Sequence, residues 1–130
     1  PELSISQITQ LLKKLKVDDK IANTVSDIIS NVSYSSAINK MRNIEGQVVQ
    51  DADRLDAMGA IGIARVFTYG GYMQRPIYES KNKLTSINHF YEKLLLLKDK
   101  MNTKTGRVLA AQRHDFMENY LRQFFHEWPA

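Results

Sequence analysis

Apolar side chains recur at helical spacing along almost the whole chain. Between residues 4 and 15 the apolar positions are Ile5, Ile8, Leu11, Leu12 and Leu15. Ser4 precedes them and can act as the N-cap of an amphipathic helix. No segment shows the sustained two-residue alternation of a half-buried strand. The pattern therefore predicts an all-α protein without a sheet.

The same spacing predicts further helices and the places where they end. Asp18 and Asp19 can start a second helix that runs to Val32, where a serine-rich turn at residues 33–36 follows. A long helical pattern covers residues 44–66, and its glycines 59 and 62 indicate close backbone packing or a break. We expect a loop at residues 69–76, because it contains two glycines and a proline. Two more helices are predicted at residues 85–98 and 106–128.

The bulk composition limits the class of protein. The chain has 130 residues, which suits a single domain spanning 1–130. Its 18 basic and 14 acidic residues give a formal net charge of +4, too small to demand a nucleic acid partner. It contains no cysteine, which fits a cytoplasmic protein, and its longest aliphatic run is residues 94–97, so no membrane span is expected.

Three aspartates lie close together in an otherwise nearly apolar helix, in the stretch QDADRLDAMGAIGIAR at residues 50–65. At about 100° per residue, Asp53 shares a face with alanines 57, 60 and 64, whose small side chains leave room for a partner or an ion. We therefore expect Asp53 to point into a cleft between helices. Asp51 points elsewhere, and we expect it to make structural hydrogen bonds. Arg54 and Arg65 lie on the flank of the Asp53 face.

Two interpretations of these carboxylates remain open from the residues alone. Asp51, Asp53 and Asp56 can be surface or capping residues paired with nearby arginines, since structural ion pairs outnumber catalytic carboxylates. Alternatively, one of them can bind a hard cation such as Mn²⁺ or Mg²⁺, which prefers carboxylate oxygen. One aspartate is not a complete metal site in either case.

The stretch VVQDADRLDAMGAIGIAR, residues 48–65, resembles a signature of HD-superfamily phosphohydrolases, in particular a small bacterial subgroup. Its ADRLDA core, residues 52–57, is similar to the superfamily element in which the aspartate after the first alanine is a metal ligand. By position, that residue is Asp53, which the resemblance implies as a catalytic metal ligand. The similarity continues through the C-terminal helices and covers nearly the whole chain from Val25 onward.

The histidines depart from the family pattern. The resemblance implies a metal site with two histidines and a second aspartate upstream of Asp53, whereas His89, His114 and His126 all follow it. We therefore expect this sequence to be the C-terminal part of an HD hydrolase domain, an HD-type helical bundle from which two N-terminal helices are missing.

The resemblance implies a phosphohydrolase that uses a divalent metal, Mn²⁺ or Mg²⁺, on a small phosphorylated substrate such as a nucleotide. The residues expected to bind that substrate are Arg54, Arg65, His89, Lys93 and Asn102. The alternative function is a non-catalytic helical binding module that keeps the fold without the metal site. A homodimer remains open as the oligomeric state.

Overall fold

The computed structural model describes residues 4–32 and 41–129, and within these ranges it contains helices and no β-strand. The α-helices are α1 (Ile5–Lys14), α2 (Asp19–Asn31), α3 (Ile44–Asp56), α4 (Gly59–Tyr72), α5 (Ser86–Glu92) and α6 (Lys104–Glu127). A 3-10 helix, Leu94–Lys100, lies between α5 and α6. The prediction of an all-α fold is confirmed.

The chain divides into two compact units, residues 1–50 and residues 51–130. The boundary falls within α3. That the chain forms a single domain therefore stays a prediction. None of the helices in the described ranges combines the length and apolar character that a bilayer span requires. The serine-rich turn predicted at residues 33–36 lies outside the described residues.

The first unit contains α1 and α2, and both begin where the sequence predicts. The Ser4 hydroxyl accepts a hydrogen bond from the Gln7 amide, while the Gln7 side chain accepts one from the Ser4 amide, so α1 starts with a capping box. Asp18 caps α2 by accepting from the amide of Lys20 at 2.9 Å. The hydroxyls of Thr9 and Ser26 lie 3.2 Å apart and link the two helices.

The long helix predicted at residues 44–66 is broken between α3 and α4. Gly59 has a φ of +68°, a conformation that residues with a Cβ rarely adopt. A Cβ at Gly62 would overlap the carbonyl oxygen of Ala57, so the backbone of α4 passes directly beside the end of α3. The sequence predicts close backbone packing or a helix break at these glycines, and the structure contains both.

The loop predicted at residues 69–76 begins later than expected, which corrects the sequence interpretation. Gly70 and Gly71 belong to α4, which ends at Tyr72. The amide of Arg75 donates to the carbonyl of Gly70 at 2.8 Å, and that of Gln74 donates to Gly71 at 3.1 Å. This pair of bonds, with Gln74 at a φ of +53°, is a Schellman motif. A residue other than glycine therefore ends the helix, and the glycines lie inside it.

The second unit has a core formed by α4, α5, α6 and the 3-10 helix. Its largest fully buried side chains are Met58, Ile87, Phe90, Leu97 and Met117. Phe90 stacks on Tyr120 with ring centroids 6.1 Å apart, and Phe67 lies about as close to both rings. The helix predicted at residues 85–98 is α5 followed by the 3-10 helix, and Thr85 caps it by accepting from the Asn88 amide. This core holds α4 and α5 side by side.

Candidate functional site

Asp51 is a structural carboxylate, as the sequence predicts. Only 3% of its surface is exposed, and it accepts four hydrogen bonds at 2.7–3.0 Å. The donors are the amide and side chain of Asn102 and the amide and hydroxyl of Thr103. Burial opposes ionisation of Asp51, but these four bonds outweigh it and place its pKa below the ordinary value. Asp51 therefore ties α3 to the start of α6, where Thr103 is the N-cap.

Arg54 and Asn102, two of the residues predicted to bind substrate, belong to this structural cluster. The Arg54 guanidinium donates to the carbonyl of Lys100 and lies 3.9 Å from the Asp51 carboxylate. Arg54 is buried, and the Asn102 side chain donates to Asp51 at 3.0 Å. The structure does not place either residue in the pocket described below.

Asp53, the predicted metal ligand, is exposed on α3. It does not line the pocket described below, so the expectation that it points into a cleft between helices is not met in the described part of the chain. Ala57, which follows Asp53 by four residues, does line that pocket, so the pocket wall lies about 6 Å from Asp53 along the helix axis. Among the described residues, no three His, Asp or Glu side chains form a metal-binding group. The described residues therefore contribute one candidate carboxylate and do not complete a metal site.

A pocket of about 680 Å³ lies in the second unit, between α4 and α5. This volume falls in the usual range of small-molecule sites. Arg65, Tyr69 and Tyr72 line it from α4 at positions i, i+4 and i+7, which share one helix face. His89 and Lys93 line it from α5 and its C-cap, four residues apart. Three of the five predicted substrate-binding residues, Arg65, His89 and Lys93, are thus brought together.

Arg65 is oriented by an ion pair with Asp56. The guanidinium donates to the Asp56 carboxylate and, at 3.4 Å, to the Asp56 carbonyl at the end of α3. Both side chains are about 60% exposed, so the pair adds little to stability. Its effect is to hold the arginine beside the pocket. The interpretation of the aspartates as surface residues paired with arginines holds for Asp56, whereas Asp51 is structural but buried.

The charged side chains that line the pocket are basic, and one of them, Arg65, is paired with Asp56 outside the lining. Arg65, Arg75 and Lys93 line it together with His89, and no Asp or Glu is among the described residues of its wall. Burial is the main cause that lowers the pKa of His89, and the positive charges of Lys93 and Arg75 lower it further, while Glu92 acts in the opposite direction. His89 is therefore a neutral hydrogen-bonding group at neutral pH.

Arg75 and Tyr69 are pocket residues that the sequence analysis did not select. The Arg75 guanidinium lies over the Tyr69 ring, 5.5 Å from its centroid. Both residues were assigned to a loop, because the two glycines between them suggested one. Tyr69 could have been found from the sequence, because Arg65, Tyr69 and Tyr72 have helical spacing when α4 is taken to continue through Gly71.

Comparison with known proteins identifies clear relatives. The chain is 41% identical over 130 residues to the uncharacterized protein YpgQ of Bacillus subtilis (strain 168). The crystal structure of that protein has a TM-score of 0.86 to this chain, and its crystal structure in complex with ADP has a TM-score of 0.84. An HD-superfamily hydrolase from Bacillus thuringiensis is 45% identical, with a TM-score of 0.79 over 95% of this chain. No protein-family model matches the chain.

These relatives define the fold of the chain. It is an HD-like helical fold, shared with a hydrolase of that superfamily. The chain is covered almost completely, at 98%, yet it spans only 62% of the length of the YpgQ protein and 62% of the B. thuringiensis chain.

Proposed function

We propose that this chain belongs to a divalent-metal-dependent phosphohydrolase that acts on nucleotides or related phosphate esters and anhydrides. The observation that carries the proposal is the pocket wall, in which Arg65, Arg75 and Lys93 face a common space with no described carboxylate among them. Such a wall attracts a ligand with several negative charges. The HD-superfamily hydrolase among the relatives supports hydrolysis as the reaction, and the ADP complex of another relative supports a nucleotide as the ligand.

In this proposal Asp53 supplies one oxygen ligand to Mn²⁺ or Mg²⁺, and the remaining ligands come from outside the described residues. A divalent ion polarises a phosphoryl oxygen and lowers the pKa of an attacking water. The described residues contribute charge and position: Arg65 and Lys93 would stabilise negative charge on the phosphoryl oxygens. Asp56 would keep the Arg65 guanidinium at the pocket wall.

The experiment compares Asp53→Ala with Asp115→Ala in the purified full-length protein. Asp115 is also an exposed aspartate on a helix, but it lies on α6 and does not line the pocket. Hydrolysis of nucleoside triphosphates is measured with manganese and with EDTA. Loss of the metal ligand should reduce manganese-dependent turnover at least about a hundredfold, with an unchanged melting temperature, because a water-activating cation is lost. The Asp115 variant should retain wild-type turnover.

Two results would contradict the proposal. Equal turnover by the Asp53→Ala protein and wild type would remove Asp53 from the reaction. Binding of ADP without hydrolysis of any phosphate substrate, under all metal conditions, would instead favour the alternative function of a non-catalytic helical binding module.

A further inference from the structure

The position of the Asp53 carboxylate depends on the backbone of α3. Asp53 is exposed in the last turn of that helix, and no described residue donates a hydrogen bond to it or pairs with its charge. A residue that binds a ligand has to be held within about 0.5 Å of its productive position. Residues other than Asp53 must therefore fix the last turn of α3.

An arginine from α6 binds the end of α3. The Arg113 guanidinium donates to the carbonyl of Leu55, which also accepts from the amide of Met58 at 3.0 Å. The last carbonyls of a helix have no partner further along the same helix, and they carry the negative end of its dipole. A guanidinium keeps its positive charge at all physiological pH values, so it suits this position. Arg113 thus holds the carbonyl two residues after Asp53.

The aliphatic part of Arg113 lies against the turn between α3 and α4. A Cβ at Gly59 would lie 3.1–3.4 Å from the Cβ, Cγ and Cδ atoms of Arg113. Gly59 has the φ of +68° with which the chain passes from α3 into α4. The absence of a side chain at Gly59 therefore lets the Arg113 stem pack on the backbone of this turn, with the guanidinium at the Leu55 carbonyl.

Asp53 lies between two residues that are bound to the same helix. Two positions before it, Asp51 accepts from the amide and hydroxyl of Thr103, the N-cap of α6. Two positions after it, the carbonyl of Leu55 accepts from Arg113, which lies further along α6. Two separate points of attachment prevent the end of α3 from turning about either one. The attachment at Arg113 is the one on the side of the pocket wall.

We propose that Arg113 is a positioning residue for Asp53: its bond to the Leu55 carbonyl fixes the last turn of α3, and with it the place of the Asp53 carboxylate relative to Ala57 in the pocket wall. This assignment rests on the proposed function, in which Asp53 is a metal ligand. Arg113 itself does not line the pocket. Replacing a residue that orients a metal ligand costs about 10–100-fold in metal affinity or activity.

The test measures manganese binding to the purified full-length protein by isothermal titration calorimetry. Arg113→Met keeps an aliphatic stem against Gly59 and loses the guanidinium. It should weaken manganese binding about tenfold or more, and it should leave ADP binding in EDTA unchanged, because the pocket lies between α4 and α5. Arg113→Lys, which keeps a cationic donor, should bind manganese more tightly than Arg113→Met. Arg122→Met replaces an exposed arginine of α6 and is the matched control.

Hydrogen exchange in EDTA gives a readout that needs neither metal nor turnover. The amide of Met58 donates to the same Leu55 carbonyl that Arg113 binds. In Arg113→Met this amide should exchange with solvent faster than in wild type, because the last turn of α3 opens more easily. In Arg122→Met its exchange should be unchanged.

The outcomes separate this role from the proposed function. Manganese binding by Arg113→Met equal to that of Arg122→Met, or unchanged exchange at Met58, refutes the positioning role and leaves the proposed function intact. The role is also refuted if manganese and ADP affinities fall together, or if the lysine variant binds manganese no better than the methionine variant. Should Arg113→Met not fold, Arg113→Lys decides: it has to bind manganese more weakly than wild type and ADP equally well. If wild type binds no manganese, or if Asp53→Ala binds it as wild type does, the proposed function fails and the positioning role fails with it.

Discussion

Gly70 and Gly71 are adjacent glycines in the same helix turn, and the structure predicts opposite effects when each is replaced by alanine. A Cβ at Gly71 would have no atom within 4 Å. A Cβ at Gly70 would lie far inside van der Waals contact with the Ser86 hydroxyl at the start of α5. The two substitutions are chemically identical and differ only in what surrounds them.

The expected sizes follow from two opposing contributions. Alanine in place of a helical glycine stabilises by about 0.5–1 kcal/mol, which is the whole effect expected for Gly71→Ala. At Gly70 the same gain is opposed by overpacking against a buried serine, which costs about 1–3 kcal/mol. Gly70→Ala should therefore be about 1–3 kcal/mol less stable than Gly71→Ala.

A double mutant identifies the contact that causes the difference. The Cβ of Ser86 would lie 3.4 Å from a Cβ at Gly70, an ordinary contact distance, so only the hydroxyl is in the way. In a Ser86→Ala background, Gly70→Ala should become stabilising like Gly71→Ala. Urea denaturation of all variants gives the free energies of unfolding and the coupling energy. The reasoning is refuted if the Gly70 and Gly71 variants are equally stable, or if the coupling is within about 0.5 kcal/mol of zero.

Three other predictions concern Asp51, Gln74 and His89. Asp51→Ala should lower the free energy of unfolding by about 3 kcal/mol or more in urea melts, because it leaves the buried donors of Asn102 and Thr103 without their acceptor; a loss under 1 kcal/mol would contradict this. Gln74→Gly should raise the free energy of unfolding by about 0.5–1 kcal/mol, because the φ of +53° strains residues with a Cβ. An unchanged urea midpoint would contradict this prediction. The folded-state pKa of His89 lies below its unfolded value, so the unfolded chain binds the extra proton. The free energy of unfolding should thus fall as the pH is lowered from about 7.5 to 5.5. His89→Gln should lose this part of the pH dependence. Identical urea midpoints for the variant and wild type at both pH values would show that His89 does not cause the pH dependence.

The sequence predicted those features of the fold that depend on local chemistry. Ser4 and Asp18 mark the starts of α1 and α2, because capping requires a side-chain oxygen within a few residues of the amides it accepts from. Gly59 and Gly62 were correctly associated with a break and with close packing. The predicted end of α4 was wrong. Gly70 is a glycine because its backbone contacts Ser86, and a local sequence pattern does not show a contact with a residue so distant in sequence.

The candidate site was predictable only in part, for the same physical reason. Helical spacing separated the structural Asp51 from Asp53, and the resemblance selected Arg65, His89 and Lys93, which do line one pocket. Arg54 was wrongly assigned to substrate binding, because its guanidinium donates a hydrogen bond to the carbonyl of Lys100, which is 46 residues away and cannot be identified from local sequence. Which polar side chains serve the core and which face a pocket is decided by such long-range contacts.

The hydrogen bonds of Asp51 close a loop in the chain. The bond between its carboxylate and the Asn102 side chain joins residues 51 positions apart, and every residue that lines the pocket, from Ala57 to Leu94, lies between them. If these hydrogen bonds broke, both ends of the segment that lines the pocket would be freed, and the conformational entropy of the segment would increase. We therefore expect the amide protons of α4 and α5 to exchange with solvent more readily when the Asp51 hydrogen bonds are broken, because the two ends of the segment are then no longer held together.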